Sequence, residues 1–98
     1  MTNAAHEAAA DVRPLDYIGI DMAKVRFEWG VHGARSTRSA ANDAAGFEPL
    51  LADLRERRIG LIVIEATGGL EHALTAVLLQ AGLPVWVVNP RAAREFAR

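Results

Sequence analysis

The sequence predicts a small α/β domain built on a mixed β-sheet, and three observations carry that prediction. Two apolar runs, Tyr17-Ile18-Gly19-Ile20 and Leu61-Ile62-Val63-Ile64, are each closed by a carboxylate, Asp21 and Glu65. A segment of apolar and polar alternation follows the first run, and stripes of helical period stand before and after the second. Apolar strands separated by helices imply right-handed crossovers and parallel pairing, whereas alternating strands joined by short turns imply an antiparallel meander. The expected element order is β-β-β-α-β-α-β-α in one domain, because 98 residues allow a single core.

Each element has its own justification. Apart from Met1, residues 1–14 hold no large apolar side chain except Val12 and end at Pro14, so a disordered tail is expected, with the folded domain over residues 15–98. The run ending at Asp21 reads as a strand buried on both faces. In the next segment Val25, Phe27, Trp29 and Val31 share one face and Arg26 and Glu28 the other, a half-exposed strand. His32-Gly33 reads as a tight turn into a polar edge strand over residues 35–39. Asn42-Asp43 offers capping side chains to a helix whose Phe47, Leu50, Leu51 and Leu54 recur at i, i+3, i+4 and i+7. Pro49 belongs in a first helical turn, which sets the start near residues 46–48, and Arg55, Arg57 and Arg58 suit the last turn.

The second apolar strand then closes on Glu65. Beyond Thr67-Gly68-Gly69, the residues Leu70, Ala73, Leu74, Val77, Leu78 and Ala81 form a second stripe that stops at Gly82, with Pro84 just after. Val85-Trp86-Val87-Val88 is the fifth strand, and Asn89-Pro90 opens a third helix.

Composition excludes several function classes. There is no cysteine, and His6, His32 and His72 have no ligand spacing, so disulfide frameworks and zinc fingers are out. Eleven Lys and Arg against 12 Asp and Glu give a net charge of -1, which argues against binding nucleic acid through bulk charge while leaving a local basic surface open. Of the apolar residues 19 are alanine, so the core has few large side chains. No apolar run is long enough to span a bilayer and the start lacks the order of a secretory signal, so a cytoplasmic protein with no membrane partner is expected.

The two closing carboxylates are the candidates for chemistry. Either one alone reads as the point where a strand leaves the core. Together they ask for more: at the ends of neighbouring parallel strands, about 4.8 Å apart, two like charges at one sheet edge invite a divalent cation. Hard oxygen ligands suit Mg²⁺ or Mn²⁺.

Three motifs narrow the reading. Tyr17-Ile18-Gly19-Ile20-Asp21-Met22-Ala23-Lys24, Ile64-Glu65-Ala66-Thr67-Gly68-Gly69-Leu70-Glu71 and Val87-Val88-Asn89-Pro90-Arg91-Ala92-Ala93-Arg94-Glu95-Phe96-Ala97 occur in that order. With this element order, the chain resembles the ribonuclease-H-like (RuvC-like) N-terminal DEDD domain of the insertion-sequence transposases that work with a bridge RNA, the family that includes the pilin-gene invertases. The resemblance covers about residues 15–98. It implies that Asp21 and Glu65 are the first two of four acids in a Mg²⁺ site for DNA strand cleavage and exchange. It also implies that the third and fourth acids and a serine nucleophile lie beyond this sequence. The chain is thus expected to be the front part of a catalytic domain, truncated at its C-terminal end and inactive alone, with DNA, a bridge RNA and full-length copies of itself as partners.

Other residues have a functional and a plain reading. Lys24 suits a phosphate or reads as a solvated lysine at a strand start; Thr67 and Gly68 suit a phosphate at a helix start or a glycine-permissive turn capped by Thr67. Arg91, Arg94 and Arg98 fall at i, i+3 and i+7, a stripe for a DNA or RNA backbone or a solvated face. Glu71 reads as an ordinary helix residue, His72 as a helix-surface residue, and Trp29 and Trp86 as core or sheet-face anchors. Two alternatives from other classes remain. One is an actin-like or sugar-kinase-type phosphotransferase, which wants glycine, serine or threonine after its first acid where this chain has Met22-Ala23-Lys24; the other is a non-catalytic nucleic-acid-binding remnant.

Overall fold

A computed structural model describes residues 11–90. Its elements are β1 (Asp16–Met22), β2 (Arg26–Val31), β3 (Arg38–Ala41), α1 (Ala44–Arg55), β4 (Ile59–Glu65), α2 (His72–Gln80) and β5 (Val85–Val88). The strands form one sheet in the order β3-β2-β1-β4-β5. β1 pairs antiparallel with β2 and β2 with β3, while β1 with β4 and β4 with β5 are parallel. This is the expected α/β mixed sheet, and it is compatible with a ribonuclease-H-like fold. Of the helix expected from Asn89-Pro90, Pro90 is helical and residues 91–98 fall outside the described residues, as do residues 1–10 of the expected tail. At residues 11–14 there is no regular element, yet Arg13 donates to the Glu56 carbonyl at 2.8 Å and its own carbonyl accepts from Arg58 at 2.8 Å.

Burial along β1 alternates: Ile18, Ile20 and Met22 are buried, and Tyr17, Gly19 and Asp21 are exposed. In β4, Ile62 and Ile64 are fully buried while Leu61 and Val63 are only half-buried. Burial of these strands on both faces, the reading of their apolar runs, is therefore not what forms. Leucines and Phe47 of α1 and Leu74 and Leu78 of α2 join the buried isoleucines, Phe27 and Trp29 in one cluster, so the helices cover one face of the sheet. Among the described residues the other face is open.

Three further expectations need correction. The edge strand lies at Arg38–Ala41, not residues 35–39, because its pairing sets Ala40 beside Phe27 and buries it; alanines carry no β signal of their own. Helix α1 starts at Ala44 behind the Asp43 cap, which puts Pro49 in the second turn. Pro49 and Ala45 are both exposed, so the Ala45 carbonyl, deprived of its i+4 donor, meets water. Of the three arginines expected in the last turn, Arg55 alone is in the helix; Arg57 pairs instead with Asp53 and Asp16, both at 3.2 Å.

Helix α2 begins at His72 and ends in a Schellman turn, with Leu83 donating to the Leu78 carbonyl at 3.1 Å and Gly82 at φ 77°.

The entry to α1 is the tightest place in the fold. Gly46 donates to Asp43 Oδ1 at 2.8 Å, and a Cβ on Gly46 would stand 1.8 Å from the Ala41 carbonyl oxygen. The obstacle is the Ala41 backbone, which cannot swing away as a side chain could. Gly46→Ala should lower the urea unfolding free energy by at least about 1–3 kcal/mol, the range for overpacking. Gly19→Ala, with open space at its Cβ position, should leave the unfolding midpoint nearly unchanged.

Candidate functional site

The parallel register sets Ile18 beside Ile62, Gly19 beside Val63 and Ile20 beside Ile64. One step on, Asp21 and Glu65 therefore stand level on the open face, at the carboxyl ends of two adjacent strands. In the antiparallel direction Asp21 is the partner of Glu28. The open face thus carries a row of three exposed acids, Glu28, Asp21 and Glu65, across β2, β1 and β4. The row beneath is nearly bare: Gly30 faces Gly19, followed by Val63 and then Trp86, which is 52% exposed. Asp21, Glu28, Glu65, Gly19 and Gly30 line one shallow concavity of about 360 Å³. Glu28 was legible as a polar-face residue, but its place beside Asp21 depends on the hairpin register, which its own segment does not encode.

Behind Glu65 the chain turns through Thr67-Gly68-Gly69, with Gly68 at φ 62° and Gly69 at φ 96°, the left-handed values that favour glycine. Thr67 is not a helix cap. Its hydroxyl donates to the Glu65 carbonyl at 2.8 Å and its N–H to Glu71 Oε1 at 2.8 Å. Glu71, read in the sequence as an ordinary helix residue, is 4% exposed and is the buried charged residue among those described. The Thr67 N–H, then the Glu71 N–H, hold its carboxyl below the usual glutamate range, against the opposing effect of burial; the His72 charge and the Gly69 N–H add to the lowering. A buried carboxylate here is a backbone acceptor that shapes the turn.

Lys24 sits exposed in the turn between β1 and β2, at the same edge as the acids, and Gly68 is exposed at the tip of its turn. His72 is exposed, as expected, with Nε2 at 3.3 Å from Glu71 Oε2. Arg91, Arg94 and Arg98 lie outside the described residues. Trp29 is a core anchor whose Nε1 donates to Asp53 at 2.8 Å, and Arg38 lies over its ring at 5.2 Å. Burial alone would raise the Asp53 carboxyl; hydrogen bonds from Trp29 and Arg57 and the charges of Arg57 and Arg38 outweigh it and hold the group below its ordinary value. That ion-pair network stands away from the acid row and makes a structural unit.

No group of three or more His, Asp or Glu side chains gathers tightly enough to cage a metal among the described residues. No described helix is long and apolar enough to cross a membrane. A family model for the DEDD domain of IS110 elements, described as a transposase, matches residues 18–98. The chain belongs to this transposase family. No curated protein matches it. Asp21, Glu65 and the turn to Glu71 all fall inside the span that this transposase family matches.

Glu71 yields a test of the turn. Glu71→Ala removes a charged acceptor from the part-buried Thr67 N–H and should cost about 1.5–3 kcal/mol in urea unfolding at neutral pH. Glu71→Gln keeps an acceptor and should lose less. Because the native carboxyl is lowered, its contribution is complete above the ordinary glutamate value of about 4.3 and fades as pH falls through the native value. The gap between wild type and Glu71→Gln should therefore narrow on acidification, read as converging urea midpoints.

Proposed function

We propose that this transposase-family domain is a ribonuclease-H-like catalytic scaffold that contributes Asp21 and Glu65 to a divalent-metal site for cleaving and exchanging DNA strands. The observation that supports it most is the parallel register of β1 and β4, which sets two exposed carboxylates level on one sheet face. Their donor chemistry fits Mg²⁺ or Mn²⁺: hard carboxylate oxygens at a solvent-accessible edge. Bound there, the ion supplies charge neutralisation and activation of water or of a phosphate oxygen.

The chain's own residues supply the surroundings. Asp21 and Glu65 hold the ion, and Lys24 at the same edge meets a phosphate as a point charge. Gly19 and Gly30, side by side without side chains, let a nucleic-acid backbone approach the sheet closely. Both Thr67 donors are engaged internally, so Thr67 shapes the turn and Gly68 is the residue there that meets phosphate. Arg91, Arg94 and Arg98 are proposed contacts to a DNA or bridge-RNA backbone. Two carboxylates make a thin cage, so the chain alone binds the ion weakly and does not cleave DNA.

The test is Mn²⁺ binding followed by the paramagnetic signal of the free ion. The chain should take up Mn²⁺, and Asp21→Asn or Glu65→Gln should each weaken uptake by at least about tenfold, since even changes behind a ligand cost that much. Equal uptake by wild type and both variants would overturn the metal reading.

A further inference from the structure

Asp21 and Glu65 stand one step beyond Ile20 and Ile64, the last register pair of β1 and β4. At that level the backbone ladder no longer sets the gap between the two strands, and a different tie takes over. Asn42 Nδ2 donates to the Ala23 carbonyl at 3.1 Å and to the Leu70 carbonyl at 3.3 Å. Ala23 follows Asp21 by two residues in the turn between β1 and β2. Leu70 closes the turn after Glu65, its N–H donating to the Thr67 carbonyl at 3.1 Å, and the Thr67 hydroxyl donates back to the Glu65 carbonyl. One side-chain amide thus spans the loop behind each acid.

The chemistry selects asparagine. Its NH₂ offers two donors on one nitrogen, where aspartate offers none and serine one. Asn42 is itself fixed on every side: its own N–H donates to the Val25 carbonyl at 2.8 Å, Asp43 caps α1, and Gly46 lies against the Ala41 backbone. From below, Glu71 holds the same turn through Thr67. We infer that Asn42 is a positioning residue that ties the loop after Asp21 to the loop after Glu65 and so sets the separation of the two carboxylates. The inference rests on reading those acids as a metal site, but the separation itself is measurable without metal.

The chain has no cysteine, so Asp21→Cys with Glu65→Cys accepts two spin labels and nothing else. In that background, Asn42→Asp, equal in size but without the donors, should widen and lengthen the distance distribution between the labels. Asn42→Ser, with a single donor, should do so less and serves if Asn42→Asp does not fold. In the unlabelled chain, Asn42→Asp should weaken Mn²⁺ uptake by about tenfold, the loss expected for a group behind a ligand. A label distribution unchanged in the folded variants would overturn the inference whatever the metal result. No Mn²⁺ uptake by wild type would instead sink the metal reading, and the label distances would still decide whether Asn42 sets the gap.

Discussion

The parallel register of β1 against β4 is the constraint on which the rest of the structure depends. It sets Ile18 and Ile20 beside Ile62 and Ile64, all at 4% exposure or less, beneath α1 and α2. A slip of one residue in β1 would turn its isoleucines to the open face and Asp21 into the core. Exposing Ile18 and Ile20 would forfeit roughly 3 kcal/mol or more at about 1.5–3 each, a large part of the whole stability of many small domains, about 5 kcal/mol at the low end. The level placement of Asp21 and Glu65 is thus a by-product of burying isoleucine. Function, on the proposed reading, is written on the face the core does not use.

Much of this was legible in the residues. The apolar runs, the alternation from Phe27 to Val31 and the stripe of Phe47, Leu50, Leu51 and Leu54 each name an element by its period, and those elements form, while Val25, expected on the same face, lies before β2 and is 72% exposed. The misreadings share a physical cause, which is that local pattern does not report its neighbours. Leu61 and Val63 are as apolar as Ile62 and Ile64, so nothing in β4 tells which face the helices will cover. Ala40 and Ala41 are silent as β-formers and are recruited into β3 by the partner strand. Pro49 favours a first turn, but the Asp43 cap and the close approach of Gly46 begin the helix sooner.

The site shows the same division. Asp21 and Glu65 announce themselves because a carboxylate closing an apolar run is anomalous in its own segment. Glu28, Asn42 and Glu71 do not, since a glutamate on a polar strand face, an asparagine before a helix and a glutamate at a helix start are all ordinary locally. Glu28 gains its place from the hairpin register and Glu71 from the turn at Thr67, while Asn42 reaches 19 residues back to Ala23 and 28 forward to Leu70. The net charge of -1 hides a comparable separation. Arg38, Arg57, Asp53 and Asp16 form ion pairs toward the start of β1, while the unbroken acid row lies at its end.

The central claim is that Asp21 and Glu65 converge on one ion. Anomalous diffraction from crystals of this chain soaked in Mn²⁺ tests it most directly. The expected result is a peak at the carboxyl ends of β1 and β4, touching an oxygen of each acid. A fully occupied ion elsewhere, with these two carboxylates turned apart and no density between them, would contradict it.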